Sequence, residues 1–159
     1  MHFGNLNLIV GEIKAVQDHP NADKLYILLV NIGKLVREIQ LVAGIKQSYN
    51  KNELLNKKII IVRNLEPVII RGVESNGMLL AVSDSGKIIL LTAKKSKVGD
   101  KVFIDDMKPE VLEKISFGDF KKIHLLTQED HIVVEGKILK TEKEEIFTDI
   151  KVSDGLIVE

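Results

Sequence analysis

Apolar and polar positions alternate along residues 8–16, with Leu8, Val10, Ile13 and Val16 on the apolar phase, and predict a long strand interrupted at Gly11. The turn formers Asp18-His19-Pro20-Asn21-Ala22-Asp23 follow and predict a loop. Residues 25–32 predict a second strand that ends in a hairpin turn at Gly33, and residues 38–42 its return strand. Asn50, with Glu53 three residues on, has the spacing of a helix cap and predicts a short helix over residues 50–56. The continuous run Ile59-Ile60-Ile61-Val62 predicts a buried strand. Residues 78–82, then 88–91 after the Ser85-Gly86 turn, then 98–103 predict three more strands.

Short strands at close spacing with one short helix predict a mainly β fold, a small closed barrel. The helix lies between the third and fourth strong strands, where a five-stranded OB barrel carries its helix. The pattern alone also admits an SH3-like barrel. The texture changes at Pro109, which can open a helix over residues 109–115 with Val111, Leu112 and Ile115 on one face. Short strands are predicted beyond it at 132–134, 137–139, 146–152 and 156–158. The expected organisation is an OB-fold domain over 1–107 and a small C-terminal α+β or β subdomain over 108–159. No low-complexity linker separates them, so the two are expected to pack together.

Charge sharpens this division. The formal net charge of the 159 residues is zero, yet residues 1–108 carry 16 Lys and Arg against 11 Asp and Glu, and residues 109–159 carry 7 Lys against 12 acidic residues. An anionic partner is expected to meet the first part. There is no cysteine, which excludes disulfides and thiolate metal sites. The first residues lack the charged and apolar regions of a secretory leader, and no apolar run approaches the ~20 residues of a membrane helix. A cytoplasmic protein without a membrane partner is the expectation.

Candidate chemistry is sparse. The four histidines are scattered and form no metal-ligand spacing, and Ser75 sits in no nucleophile elbow. Neither catalysis nor a cofactor is expected. His19 followed by Pro20 reads as an organiser of its loop. The stretch from Arg71 to Met78 admits two readings. Arg71 could meet phosphate, Ser75 could hydrogen-bond and Met78 could touch a base, or the stretch could be an ordinary connection between barrel strands. Aromatic residues make up 4% of the chain and none is Trp, which argues against a stacking platform for bare single strands and for recognition of folded RNA by shape.

Several ordered pieces carry a family resemblance: Val10-Gly11-x-Ile13, His19-Pro20-Asn21-Ala22-Asp23-Lys24-Leu25-Tyr26, Val42-Ala43-Gly44-Ile45, Asn64-Leu65-x-Pro67 and Arg71-Gly72-Val73-x-Ser75-x-Gly77-Met78-Leu79-Leu80-Ala81. Over residues 8–105 the chain resembles the tRNA-binding domain of endothelial monocyte-activating polypeptide II, of the C-terminus of methionyl-tRNA synthetases and of the bacterial free-standing structure-specific tRNA-binding protein. Lys108-Pro109 with Glu113-Lys114-Ile115 and Asp119-Phe120 resembles the extra C-terminal domain of the endothelial branch. The resemblance implies an OB fold that binds the outer corner of tRNA by shape, with Lys24, Arg37, Lys46 and Arg71 at phosphates, Asn64 and Ser75 at sugar or base edges, and Met78 against a base. It implies a partner aminoacyl-tRNA synthetase, methionyl above all. It also implies a monomer whose C-terminal part imitates a dimer interface. In two places the chain departs from the family. Val68 and Ile69 stand where the family has basic residues, and Ile39 stands where it has an Arg that Arg37 would replace. These departures support an alternative, a protein-interaction scaffold of a synthetase complex with little RNA binding.

Overall fold

A computed structural model describes all residues, Met1–Glu159. The first strand, β1 (Leu8–Asp18), organises the barrel because it is the central strand of a five-stranded sheet and pairs on both sides. Its first half pairs antiparallel with β4 (Lys58–Val62), its second half with β2 (Tyr26–Asn31), and the register with β2 slips at Lys14. Gly11 lies at the crossover. A Cβ there would stand 2.5 Å from Ile61 Cδ1 and 2.8 Å from Val30 Cγ1, so a side chain would block the bend that lets one strand feed both neighbours. The free edge of the first half is covered by the segment around Gly99–Val102, with Val10 N donating to Asp100 O at 3.0 Å and Gly99 N to Val10 O at 2.8 Å.

β2 pairs with β3 (Glu38–Ala43), and α1 (Lys51–Leu54) connects β3 to β4 as an OB fold requires. Asn50 N donates to Glu53 Oε1 at 2.9 Å, the interaction its spacing predicts. After β4 come a short hairpin, β5 (Val68–Ile70) and β6 (Val73–Ser75), then β7 (Met78–Leu79), which pairs back on β4. The barrel closes between β3 and this returning chain: Asn76 N donates to Gln40 O at 2.8 Å and Gln40 Nε2 to Glu74 O at 2.8 Å. The molecule is a mainly β, OB-fold-like barrel. The β5–β6 hairpin is not expected from sequence, because three-residue strands show no period.

A second sheet is built outside the barrel. β8 (Ala81–Asp84) and β9 (Lys87–Thr92) form a hairpin, and β9 pairs with β13 (Phe147–Thr148), which joins β11 (His131–Val134), flanked by β10 (Leu126–Gln128) and β12 (Lys137–Ile138). The hairpin turn Ser85-Gly86 has both residues at positive φ, the two-residue geometry that matches strand twist.

Two cores result, and the strands between them are buried on both faces. Ile59 and Ile61 of β4 face the barrel interior with Ile13, Leu28, Val30 and Leu41. Ile60 and Val62 face outward into a larger core with Leu8, Val10, Leu91, Phe120, Leu125, Ile132 and Ile146. This is why β4 reads as an unbroken apolar run with no alternation. At about 25 cal/mol per Å², each such side chain contributes on the order of 2 kcal/mol.

Two expected elements are absent. The strand expected over 98–103 is reduced to isolated bridges of Lys101 to Ile9 and of Phe103 to Lys140. Residues 109–115 form no helix. Their backbone runs extended and bonds to the N-terminal segment: Glu110 N donates to Gly4 O, Leu112 N to Asn5 O and Ile115 N to Asn64 O, while Glu66 N donates to Ile115 O. These long-range bonds replace the i→i−4 ladder, and Ile115 is 1% exposed because it bridges Leu65 and packs into the larger core, not because it lies on a helix face. A short helix forms later instead, α2 (Phe117–Phe120), capped by Ser116 Oγ accepting from Asp119 N. The strand expected over 146–152 shortens to β13, and 156–158 contributes only a bridge of Ile157 to Leu126.

Two polar clusters fasten the second sheet to the barrel. Tyr49 Oη donates to Asp149 Oδ2 at 3.0 Å and accepts from Leu90 N at 3.0 Å, and Lys57 Nζ meets Asp149 Oδ1 at 2.7 Å. Ser96 Oγ, fully buried, lies 2.8 Å from Thr141 Oγ1 and donates to Glu144 Oε2 at 2.7 Å.

Candidate nucleic-acid interface

OB folds bind oligonucleotides across the face of strands 2 and 3, between the loop joining strands 1 and 2 and the loop joining strands 4 and 5. Here the first of these is the loop His19–Leu25. The second is the stretch from β4 to β7, enlarged into the β5–β6 hairpin. The two loops are bonded to each other. His19 Nε2 lies 2.9 Å from Ile70 O, Asn21 N donates to His19 Nδ1 at 3.0 Å, and Asn21 Nδ2 reaches Arg71 O at 3.5 Å. The Asn21 bond requires a bare Nδ1, so the His19 proton is on Nε2 and donates to Ile70. His19 is 5% exposed and is an organiser of its loop, as its Pro20 neighbour suggests.

This junction brings Lys24, Lys46 and Arg71 to one end of the β2–β3 face. Lys24 and Arg71 are exposed, and neither takes part in an ion pair. Arg71 occupies the first position of a two-residue turn, Arg71-Gly72, with φ of 53° and 87°. Ile70 pairs with Val73 across it, so the guanidinium is carried at the tip of the hairpin. Lys46 is half-buried, 5.9 Å from the Tyr26 ring centroid and 3.0 Å from Asp18 Oδ1. Arg37 is exposed and unpaired but stands at the opposite end of β3, where Asn31 pairs with Glu38. Five residues of strand separate the ends, about 17 Å at the usual rise.

Asn64 and Ser75 are placed otherwise than their expected contacts with sugar or base edges require. Asn64 is 5% exposed: its Oδ1 accepts from Asn7 N, and its Nδ2 donates to Asn5 O and to Leu112 O. Ser75 is 2% exposed: its Oγ accepts from Val42 N at 3.0 Å and donates to Gly77 O at 3.1 Å, where it completes barrel closure. Both side chains are engaged within the protein because each satisfies backbone groups that no strand partner reaches. Nothing in residue type separates such an engaged Asn or Ser from a free one. Met78 is half-buried, paired with Val62 and packed on the larger core.

Asp18 tempers the cationic end. Its carboxylate accepts from Lys46 and Lys51, and these two hydrogen bonds, Lys46 first, hold it below the usual carboxylate range. Because its pKa is lower folded than unfolded, the pairing favours the folded state above the unfolded value near 3.8 and fades as pH falls through the folded one. At neutral pH Asp18 is therefore fully charged. Asp18→Asn is expected to free both lysines and tighten anion binding about threefold at low salt, with a steeper salt dependence; a salt titration of affinity checks it.

Comparison with known proteins agrees with this geometry. Residues 8–101 match the profile of a family described as "Putative tRNA binding domain". A methionine–tRNA ligase of Pyrococcus horikoshii is 57% identical over 101 residues, 63% of this chain and 14% of the ligase. The chain thus spans about a seventh of the length of such relatives. Among solved structures, the C-terminal domain of Plasmodium vivax p43 superposes with a TM-score of 0.88 at 27% identity over 98% of both chains. A protein related to methionyl-tRNA synthetase from Pyrococcus horikoshii superposes with a TM-score of 0.58 at 36% identity, covering 64% of this chain and 93% of that one. With its barrel, its two joined loops and a profile match over most of the barrel sequence, the chain belongs to the tRNA-binding domain family.

Proposed function

We propose that this protein binds tRNA by shape and assists an aminoacyl-tRNA synthetase, methionyl above all, as a free-standing subunit or cofactor that acts by binding and not by catalysis. The observation that carries the reading is the hydrogen-bonded junction of the 19–25 loop with the β5–β6 hairpin, which joins the two loops that bear Lys24 and Arg71, both unpaired and exposed, at the place where OB folds receive nucleic acid. Lys24, Lys46 and Arg71 meet the sugar-phosphate backbone at one end of the face and Arg37 meets it at the other. Ser75 serves as a positioning residue that closes the barrel beside the hairpin bearing Arg71, and Asn64 ties the start of the β4–β5 connection to the N-terminal segment. Met78 offers its exposed part to a base. A backbone-reading site of this kind binds with little sequence preference. The identity with the methionine–tRNA ligase supports that enzyme as partner.

Residues 108–159 belong to this reading as a cover. They pack on the outer face of the barrel strands with Phe120, Ile132 and Ile146, an apolar face that would otherwise call for a second copy, so the protein acts as a monomer.

Light scattering combined with tRNA titration tests both parts. The expected result is a monomer that binds whole tRNA about tenfold or more tighter than an RNA duplex of equal length, as one-to-one complexes, with affinity falling steeply with salt. Equal affinity for tRNA and duplex overturns shape recognition. Recovery of a synthetase after ribonuclease treatment, with no tRNA binding at low salt, favours the scaffold reading instead.

A further inference from the structure

The hairpin that bears Arg71 also carries a strongly exposed aliphatic residue. Ile69, in the middle of β5, is 75% exposed, and its neighbour Val68 is 43% exposed. Ile69 pairs with Glu74, and the Glu74 carbonyl accepts from Gln40 Nε2, so the isoleucine is level with the middle of β3. Arg71 follows two residues later at the hairpin tip, and Lys24 belongs to the loop bonded to that tip. A large aliphatic side chain in water, on a two-stranded ribbon with no strand beyond it, stabilises nothing in the free protein. Its position on the hairpin whose tip bears the unpaired Arg71 says what would cover it. A ligand there must offer negative charge to Arg71 and an apolar surface one or two residues away, and an RNA strand with a base turned out of its stack has both at that spacing.

We propose that Ile69 is a nonpolar RNA contact, packing against an unstacked base or ribose next to the phosphate held by Arg71. The inference rests on the tRNA reading above and adds to it a part of the affinity that salt does not screen. Cationic contacts lose strength as counterions compete, whereas burial of an isoleucine against a base does not depend on ionic strength in that way. The low aromatic content of the chain leaves this task to an aliphatic residue.

The test is a salt titration of the tRNA dissociation constant for the wild-type protein, Ile69→Ala, Ile69→Lys, Arg71→Ala and, as a control for loss of any exposed aliphatic residue, Ile157→Ala, which is 55% exposed on the C-terminal segment. Ile69→Ala is expected to weaken binding roughly five- to tenfold at every salt concentration with an unchanged slope of log K against log salt. Ile69→Lys is expected to steepen that slope by about 0.7–0.9 and to bind more weakly than wild type at high salt. Arg71→Ala is expected to make the slope shallower by a similar amount, and Ile157→Ala to change neither quantity. If Arg71→Ala weakens binding while Ile69→Ala leaves it intact, the Ile69 contact is overturned and the tRNA reading stands. If the wild-type protein binds no tRNA at low salt, both fall. If Ile69→Ala abolishes sedimentation with anionic vesicles and leaves tRNA affinity unchanged, the exposed isoleucine serves a lipid surface and the proposal is wrong.

Discussion

Replacing Arg71 with asparagine is expected to make the protein more stable and, at the same time, a weaker binder of tRNA. Arg71 has φ of 53°, a left-handed conformation that costs a non-glycine residue about 1–2 kcal/mol. Asparagine tolerates that conformation and is favoured in two-residue turns followed by glycine. The variant should gain about 1 kcal/mol, raising the unfolding midpoint by roughly 2–4 °C for a domain of this size. Removal of one phosphate contact should at the same time lower affinity about tenfold near physiological salt and lessen the salt slope by about 0.7–0.9. Thermal unfolding and salt-dependent binding measure the two halves. A stabilised variant with undiminished binding would mean that the arginine is held in this conformation for no purpose that involves RNA. The opposing signs matter, because a general loss of folding cannot mimic them.

Asn64→Ala is expected to be the most destabilising single substitution among the candidate site residues. The side chain satisfies one backbone N–H, that of Asn7, and two backbone carbonyls, those of Asn5 and Leu112. Asn5 O keeps its bond from Leu112 N, so two groups, Asn7 N and Leu112 O, are left without a partner; at about 1–3 kcal/mol each, the loss should be about 2 kcal/mol or more. Chemical denaturation would measure it. Hydrogen exchange would localise it: the amides of Glu110, Leu112 and Ile115, which bond across to the N-terminal segment and to Asn64, should lose protection before those of β2 and β3. A loss under about 1 kcal/mol would show that water reaches these groups once the amide is gone.

How much of this was legible in the sequence follows from where the determinants lie. β1, β2, β3 and β4 are written in local periodicity and in turn formers such as Gly33, and their order with the Asn50 cap between the third and fourth carries the barrel. The double burial of β4 was visible because Ile59 to Val62 contains no polar residue at all. Residues 109–115 show the converse. Their apolar spacing suits a helix, but their amides find carbonyls more than 40 residues away, and no local pattern encodes a partner at that distance. The site divides in the same way. Arg71 and Lys24 were identifiable as cations in polar, turn-rich stretches, and they are exposed. Asn64 and Ser75 have the same polar character in sequence. Their partners, Asn5, Leu112 and Val42, become visible only when the chain is folded. The contact between the two binding loops could have been suspected from His19, a single imidazole inside a Pro-Asn turn with two nitrogens to satisfy, but its acceptor, Ile70 O, carries no sequence signal.

The polar cluster around Tyr49 has a spectroscopic consequence. The chain contains two tyrosines and no tryptophan, and both tyrosines lie in the barrel, with Tyr26 Oη donating to the Tyr49 carbonyl at 2.9 Å. Burial raises the Tyr49 phenol above its usual range, and its Oη donates to Asp149, a residue just beyond β13. Near-ultraviolet absorption at wavelengths beyond those of phenylalanine therefore originates at two chromophores, one of which is bonded to the acidic tail. Undocking of the tail from the barrel lowers the alkaline ionisation range of a single phenol and alters its dichroism, readable without any attached label.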